Sequence, residues 1–148
     1  MSAETLSPAR VGRSDSGAPP WHDVLSRDEI AELLRMRDGR SWLTLAAHWG
    51  LTFAAMAVAA AWPNPLTIVA ALFVIGTRQL GLAVVMHDAA HRAFFSNKAT
   101  NDWAASWLAA YPIWSDLEPY RPYHRQHHVY TWQDQDPDRS LASPFPIT

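Results

Sequence analysis

The sequence predicts an all-α integral membrane chain: one transmembrane helical hairpin, with cytoplasmic and interfacial helices that carry two histidine clusters. Three observations lead there. Two apolar stretches of 21 residues, 42–62 and 66–86, are separated only by Pro63-Asn64-Pro65. The chain lacks the apolar–polar alternation of a half-buried strand. Five of the seven histidines fall between positions 87 and 128, just beyond the second stretch. Composition narrows the field. The 148 residues make about one domain. Twelve basic against fourteen acidic residues leave no basic surplus, so no nucleic-acid partner is expected. Cysteine is absent, which excludes disulfides, thiolate metal sites and a cysteine nucleophile. The mean hydropathy of −0.15 averages two polar ends with a very apolar middle.

Residues 1–20 are rich in Ser, Ala, Pro and Gly and read as a disordered tail. They contain no apolar core of a secretory signal. An amphipathic cytoplasmic helix is expected within 21–40. Ser26 and Glu29 are spaced as a capping box, and Leu25 and Ile30 sit at the staple positions. Ile30, Leu33 and Leu34 make one narrow apolar stripe, and Gly39 suits a C-terminal stop.

Residues 42–62 hold no Asp, Glu, Lys or Arg and start and end on Trp. As a helix they span about 31 Å, the thickness of a bilayer core, with aromatic residues at both interfaces. Residues 66–86 are interrupted only by Arg78 and Gln79. A tripeptide link makes the two spans a hairpin whose outer ends lie on one side. Six arginines precede the hairpin, four more and Lys98 follow it, and the link has none. The positive-inside rule therefore puts both ends in the cytoplasm, in a multi-pass arrangement. A buried hairpin in a large soluble protein is the alternative, and the runs exceed the usual length of such helices. Residues 103–114 are apolar but reach only about 18 Å, which suits an interfacial or re-entrant helix capped by Asn101 or Asp102. Residues 120–148 carry the second histidine cluster and the end of the chain.

The first cluster, His87-Asp88-Ala89-Ala90-His91, sits where the second span leaves the membrane. On a helix, positions i and i+4 share a face. The second cluster is His124-Arg125-Gln126-His127-His128, whose i, i+3 and i+4 spacing again puts three rings on one side. Pro122 is tolerated if it falls in the first turn of that helix. Two such faces at one membrane boundary can converge on a metal, and neutral imidazole suits iron, zinc, copper or nickel. A single HxxxH is weak evidence; two clusters together are not.

These residues resemble the membrane fatty acid desaturases. HDAAH at 87–91 and HRQHH at 124–128 look like the first two histidine boxes of that family. The likeness extends to Arg78-Gln79-Leu80-Gly81, to Asn101-Asp102-Trp103, and from Tyr130-Thr131 to Asp136-Pro137-Asp138, covering roughly 26–148. It implies an integral membrane enzyme of lipid and fatty acid metabolism, with a di-iron centre and O2 as co-substrate. It implies an acyl lipid, acyl-CoA or acyl-carrier substrate drawn from the lipid bilayer, and a soluble electron donor of ferredoxin or cytochrome type. By carry-over of the boxes, His87, His91, His124, His127 and His128 are the metal ligands. A third HxxHH box, reached in the family after two further spans, is missing. The expectation is a fragment or truncated gene, inactive alone, because two irons relying on imidazole want about four nitrogens each.

Asp88, Asp134, Asp136 and Asp138 are candidates to accept from the second ring nitrogens of those histidines. Each has an alternative as an ordinary solvated charge. A calcium loop starting at Asp134 fails, since its sixth position is Arg139 and its twelfth Phe145. Arg78 lies nine residues before His87, on the opposite helix face, so a structural ion pair is expected rather than a place at the metal or a substrate contact. Its expected partner is Asp116 or Glu118 if that segment folds back, or a residue from the missing half. His48, alone in the first span, is expected to make a helix–helix hydrogen bond. Tyr120, Tyr123, Tyr130 and Trp132 are expected to pack at the membrane surface. Two rival chemistries share parts of the pattern. A related di-iron lipid hydroxylase or alkane monooxygenase would use similar ligands. An intramembrane zinc hydrolase would place Asp88 as its base in an HExxH-like motif, but it needs only three ligands and an open position.

Overall fold

The computed structural model describes residues 24–142. The tail expected over 1–20, residues 21–23 and residues 143–148 lie outside them. Every regular element among the described residues is helical. The chain divides into two units, Met1–Arg35 and Met36–Thr148. The first holds α1 (Arg27–Leu33), where the Ser26 side chain accepts from Glu29 N at 3.2 Å and the Glu29 carboxylate accepts from Ser26 N at 2.8 Å.

The second unit opens with α2 (Asp38–Ala61) and α3 (Pro65–Ala90). The expected single helix over 21–40 is therefore divided, and Gly39 lies in the first turn of α2 rather than at a stop. Asp38 accounts for the new start. A carboxylate favours a helix N-terminus, and this one accepts from Ser96 N at 2.8 Å and Ser96 Oγ at 2.6 Å. The turn between the helices closes on Asn64, whose side chain accepts from Leu66 N at 3.0 Å and Thr67 N at 3.2 Å, with Pro65 preset for the first helical position. Both helices are long and apolar enough to cross a membrane, and only 6% and 17% of their most apolar windows are buried. A core helix of a soluble protein would be mostly buried.

The end of α3 returns to the start of α2. Ser41 Oγ donates to Phe94 O, Trp42 packs on Phe95 at 4.9 Å between ring centroids, and Phe95 is 1% exposed. Both outer ends of the hairpin therefore sit at one end of it.

The segment expected as one helix over 103–114 is three. α4 (Lys98–Ala105) is capped by Asn97, which accepts from Thr100 N at 3.0 Å, not by Asn101 or Asp102. It runs into a π-helical turn, Ser106–Ala110, and a 3₁₀ turn, Tyr111–Ile113, before Trp114 breaks it at φ 60°. Pro112 is the physical reason: it has no N–H for the Leu108 carbonyl four residues back. The Trp49 indole donates to that oxygen instead, at 3.0 Å. α5 (Leu117–Tyr130) starts on an Asp116 cap, so Pro122 lies inside the helix rather than in its first turn. A short α6 (Arg139–Ala142) follows.

The core beneath the histidines is made largely of small side chains. Ala89, Ala104, Ala105, Ala109 and Ala110 have little or no exposure and pack with Leu82, Val85, Met86 and Leu117. Small residues let helix backbones approach closely, which brings α3, α4 and α5 together at one end of the hairpin.

Candidate metal centre

α3 keeps helical geometry through the first cluster and ends with His91 as its C-cap. His87 and His91 therefore share a face, their ring centroids 4.9 Å apart. α5 presents His124 and His128 one turn apart, centroids 4.4 Å. The two helices meet ring to ring: His87 to His124 is 4.5 Å, His91 to His124 is 4.8 Å and His91 to His128 is 4.9 Å between centroids. One ligand nitrogen from each of the four histidines lies within 4.8 Å of all the others.

His124 is at the centre. Its Nε2 lies 2.9 Å from His91 Nε2 and 2.9 Å from His128 Nε2. Hydrogen bonding cannot satisfy this arrangement, because a ring nitrogen has one proton or one lone pair, not both. A cluster of neutral imidazoles of this kind could hold a metal ion. His124 is 9% exposed, and Tyr120 stacks on it with rings 10° from parallel. Burial first, and then the neighbouring imidazole charges, lowers its pKa to about 4. His91 is lowered for the same reasons, against the opposing charge of Asp88. Both rings are therefore neutral near pH 7, the state a metal requires.

His127 stands outside this group. Its Nδ1 donates to Asp136 Oδ1 at 2.8 Å and lies 3.3 Å from Asp138 Oδ2. The hydrogen bond to Asp136 raises its pKa more than desolvation lowers it. Asp136 is buried and saturated: Trp132 N donates to Oδ2 at 2.7 Å, and Asp138 N joins His127 on Oδ1. Burial would raise its pKa, but these hydrogen bonds outweigh it and hold the carboxylate below its usual range. Asp138 also accepts from Tyr123 OH at 2.5 Å, which pushes that phenol up to about 12. Of the four candidate carboxylates, Asp88 lies 3.1 Å from His87 Nδ1, Asp136 and Asp138 face His127, and Asp134 is exposed and paired with Arg139.

Two expectations about the hairpin are corrected. Among the described residues Arg78 forms no ion pair with Asp116 or Glu118, and Asp116 instead caps its own helix, accepting from Glu118 N at 3.1 Å. His48 makes no helix–helix hydrogen bond. Its ring points Cε1 at Gly81, where no side chain stands, and its buried Nδ1 has no partner among the described residues.

Arg121, one turn before His124, carries no motif signal, yet it reaches back to the end of α3 and to Asp102. The sequence marks Asp102 only within the Asn101-Asp102-Trp103 likeness and as a candidate cap, and its charge opposite to that of Arg121 is the one hint that the two pair. Arg92, Arg121 and Arg125 line a cleft of about 690 Å³ onto which His91, His124 and His128 open.

Comparison with known proteins comes to the same region. Residues 63–146 match the family described as fatty acid desaturase. The chain is 33% identical over 129 residues to the chloroplastic omega-6 fatty acid desaturase of Spinacia oleracea, covering 82% of this chain and 28% of that one. It is 43% identical over 56 residues to the Glycine max protein of the same name, 38% of this chain and 13% of that one. It is 38% identical over 79 residues to the dihydrorhizobitoxine desaturase of Bradyrhizobium elkanii, 52% of this chain and 21% of that one. The chain thus spans less than a third of the length of these relatives. No solved structure matches.

Proposed function

Because the chain belongs to the fatty acid desaturase family, a family of oxidoreductases, we propose that it is the part of an O2-dependent acyl desaturase that builds the first iron position. The carrying observation is the meeting of three Nε2 atoms at 2.9 Å on His124, with His87 alongside. His87, His91, His124 and His128 would hold the ion. Bound iron supplies the redox chemistry with O2 that no acid–base side chain can apply to an unactivated C–H bond. His127 is read as facing a second position. An imidazole whose Nδ1 is held by a carboxylate offers its other nitrogen to metal, and Asp136 does the holding. Two irons on imidazole ligands take about four nitrogens each. These residues supply five, so turnover requires ligands from beyond them.

The chain's own residues divide the remaining work. α2 and α3 carry outward Phe53, Leu66, Leu72, Phe73 and Leu80, each more than half exposed. On a soluble molecule such faces are an anomaly; in lipid they are the solvated surface. We therefore read the hairpin as spanning the bilayer, with the histidines at its cytoplasmic boundary, where the arginines accumulate. There an acyl chain arrives from the lipid, and electrons arrive from a soluble ferredoxin- or cytochrome-type carrier. The name omega-6 fatty acid desaturase supports a fatty acyl chain as the substrate class, carried as acyl lipid, acyl-CoA or acyl-carrier protein. Those names also favour removal of hydrogen over insertion of oxygen, and so desaturation over the hydroxylase reading. Asp88 faces the Nδ1 of His87 rather than the shared centre, which removes the general base that a zinc hydrolase would need.

The test is metal content. The purified chain is expected to carry one iron per molecule, and His124→Ala is expected to lose it. Unchanged iron in His124→Ala would overturn the reading.

A further inference from the structure

Resting on the reading that four imidazoles hold one ion, we propose that Arg121, Asp102 and Asn101 form a positioning clamp that sets the end of the first histidine helix against the second. The last carbonyls of a helix have no partner within it, and here they are gripped from outside. Arg121 Nε donates to Ala90 O at 3.2 Å, and its outer nitrogen lies 3.4 Å from Ala89 O and 2.6 Å from Asp102 Oδ1. Asn101 Nδ2 donates to Ala89 O at 3.0 Å and to Asp102 Oδ1 at 3.0 Å. Asn101 Oδ1 accepts from Phe94 N and Phe95 N, which fixes the turn just after His91. Ala89 and Ala90 are the backbone between His87 and His91, and Arg121 lies one turn before His124. A single guanidinium thus ties the carbonyl end of one ligand pair to the helix that carries the other. Its charge also suits a helix C-terminus.

The network is built for this. Asn101 is fully buried, with both side-chain ends used. Burial raises the Asp102 pKa, but hydrogen bonds from Asn101 and Arg121 and the arginine charges prevail and keep it ionised. A lysine at 121 would not reproduce the bridge, because an ammonium lacks the rigid fork that reaches two carbonyls and a carboxylate together. The role differs from that of a ligand: Arg121 acts through the spacing of His87 and His91 from His124.

Cobalt(II) titration of the full chain in micelles, read by its visible absorption, tests the clamp. In Arg121→Gln and in Asp102→Asn, cobalt affinity is expected to fall about 10–100-fold, with an altered spectrum at saturation and unchanged helix content. A second readout needs no metal. The chain has no cysteine, so spin labels at Ala93→Cys and Arg125→Cys report the distance between the turn just after His91 and the second histidine helix. Its distribution is expected to be narrow in the parent and broad with Arg121→Gln. Parental affinity, spectrum and label distance in both variants would overturn the clamp. Loss of helix content in both would also overturn it, in favour of a purely structural role. If the parent takes up no cobalt, the metal reading fails, while the label distances still judge the clamp.

Discussion

His48 and Gly81 show how one missing side chain decides where two helices meet. A Cβ on Gly81 would overlap His48 Cε1 and stand 2.8 Å from Nδ1 and 2.9 Å from Nε2. Alanine is the better helix former by about 1 kcal/mol, so propensity alone would make Gly81→Ala stabilising. Overpacking is expected to win, with a net loss of about 1–3 kcal/mol in thermal or denaturant unfolding. Adding His48→Ala should recover most of it; a stable single variant with no coupling to His48 would contradict the contact. The histidines were legible at this scale because helical spacing alone puts 87 with 91 and 124 with 128 on common faces. The departure of His127 was not. At 100° per residue it lies about 60° to one side of His124, while His128 lies about 40° to the other. Which neighbour the group keeps depends on where Asp136 folds back, a contact between loop and helix that spacing does not encode.

Among elements, the hairpin was the most legible, since two long uncharged runs and a Pro-Asn-Pro break need little tertiary context. The segment after α3 was the least. Pro112 leaves the Leu108 carbonyl without its helical donor, and the group that takes its place, the Trp49 indole, is a partner 59 positions away. The boundary between α1 and α2 was equally hidden, because Asp38 at the start of α2 holds Ser96, which the chain reaches only after the whole hairpin. The hairpin makes a topological statement that the cysteine-free chain allows to be checked. With single cysteines in intact spheroplasts, Pro63→Cys is expected to react with an impermeant maleimide from outside. Lys98→Cys is expected to react only after lysis. Labelling of both positions from the same face would contradict a bilayer-spanning hairpin.

At the scale of the molecule, burial and composition pull in opposite directions. The apolar faces of α2 and α3 point outward, while the buried core is small and lies under the histidines. Such a design is stable only where the outward surface meets lipid or more protein. It concentrates the packed region at one end of the hairpin, where four imidazoles are held by two helices, a stacked tyrosine and an arginine bridge. Sequence alone pointed to that end through histidine count and spacing, but not to the small-residue packing that brings α3 and α5 into contact.

The central claim is that the two histidine clusters share one metal ion. X-ray absorption of the cobalt-loaded chain tests it most directly. Four imidazoles at about 2.0–2.1 Å are expected, with the count halved when His87 and His91, or His124 and His128, are both replaced by alanine. A site that keeps its full imidazole count after either pair is removed would show that the clusters bind apart.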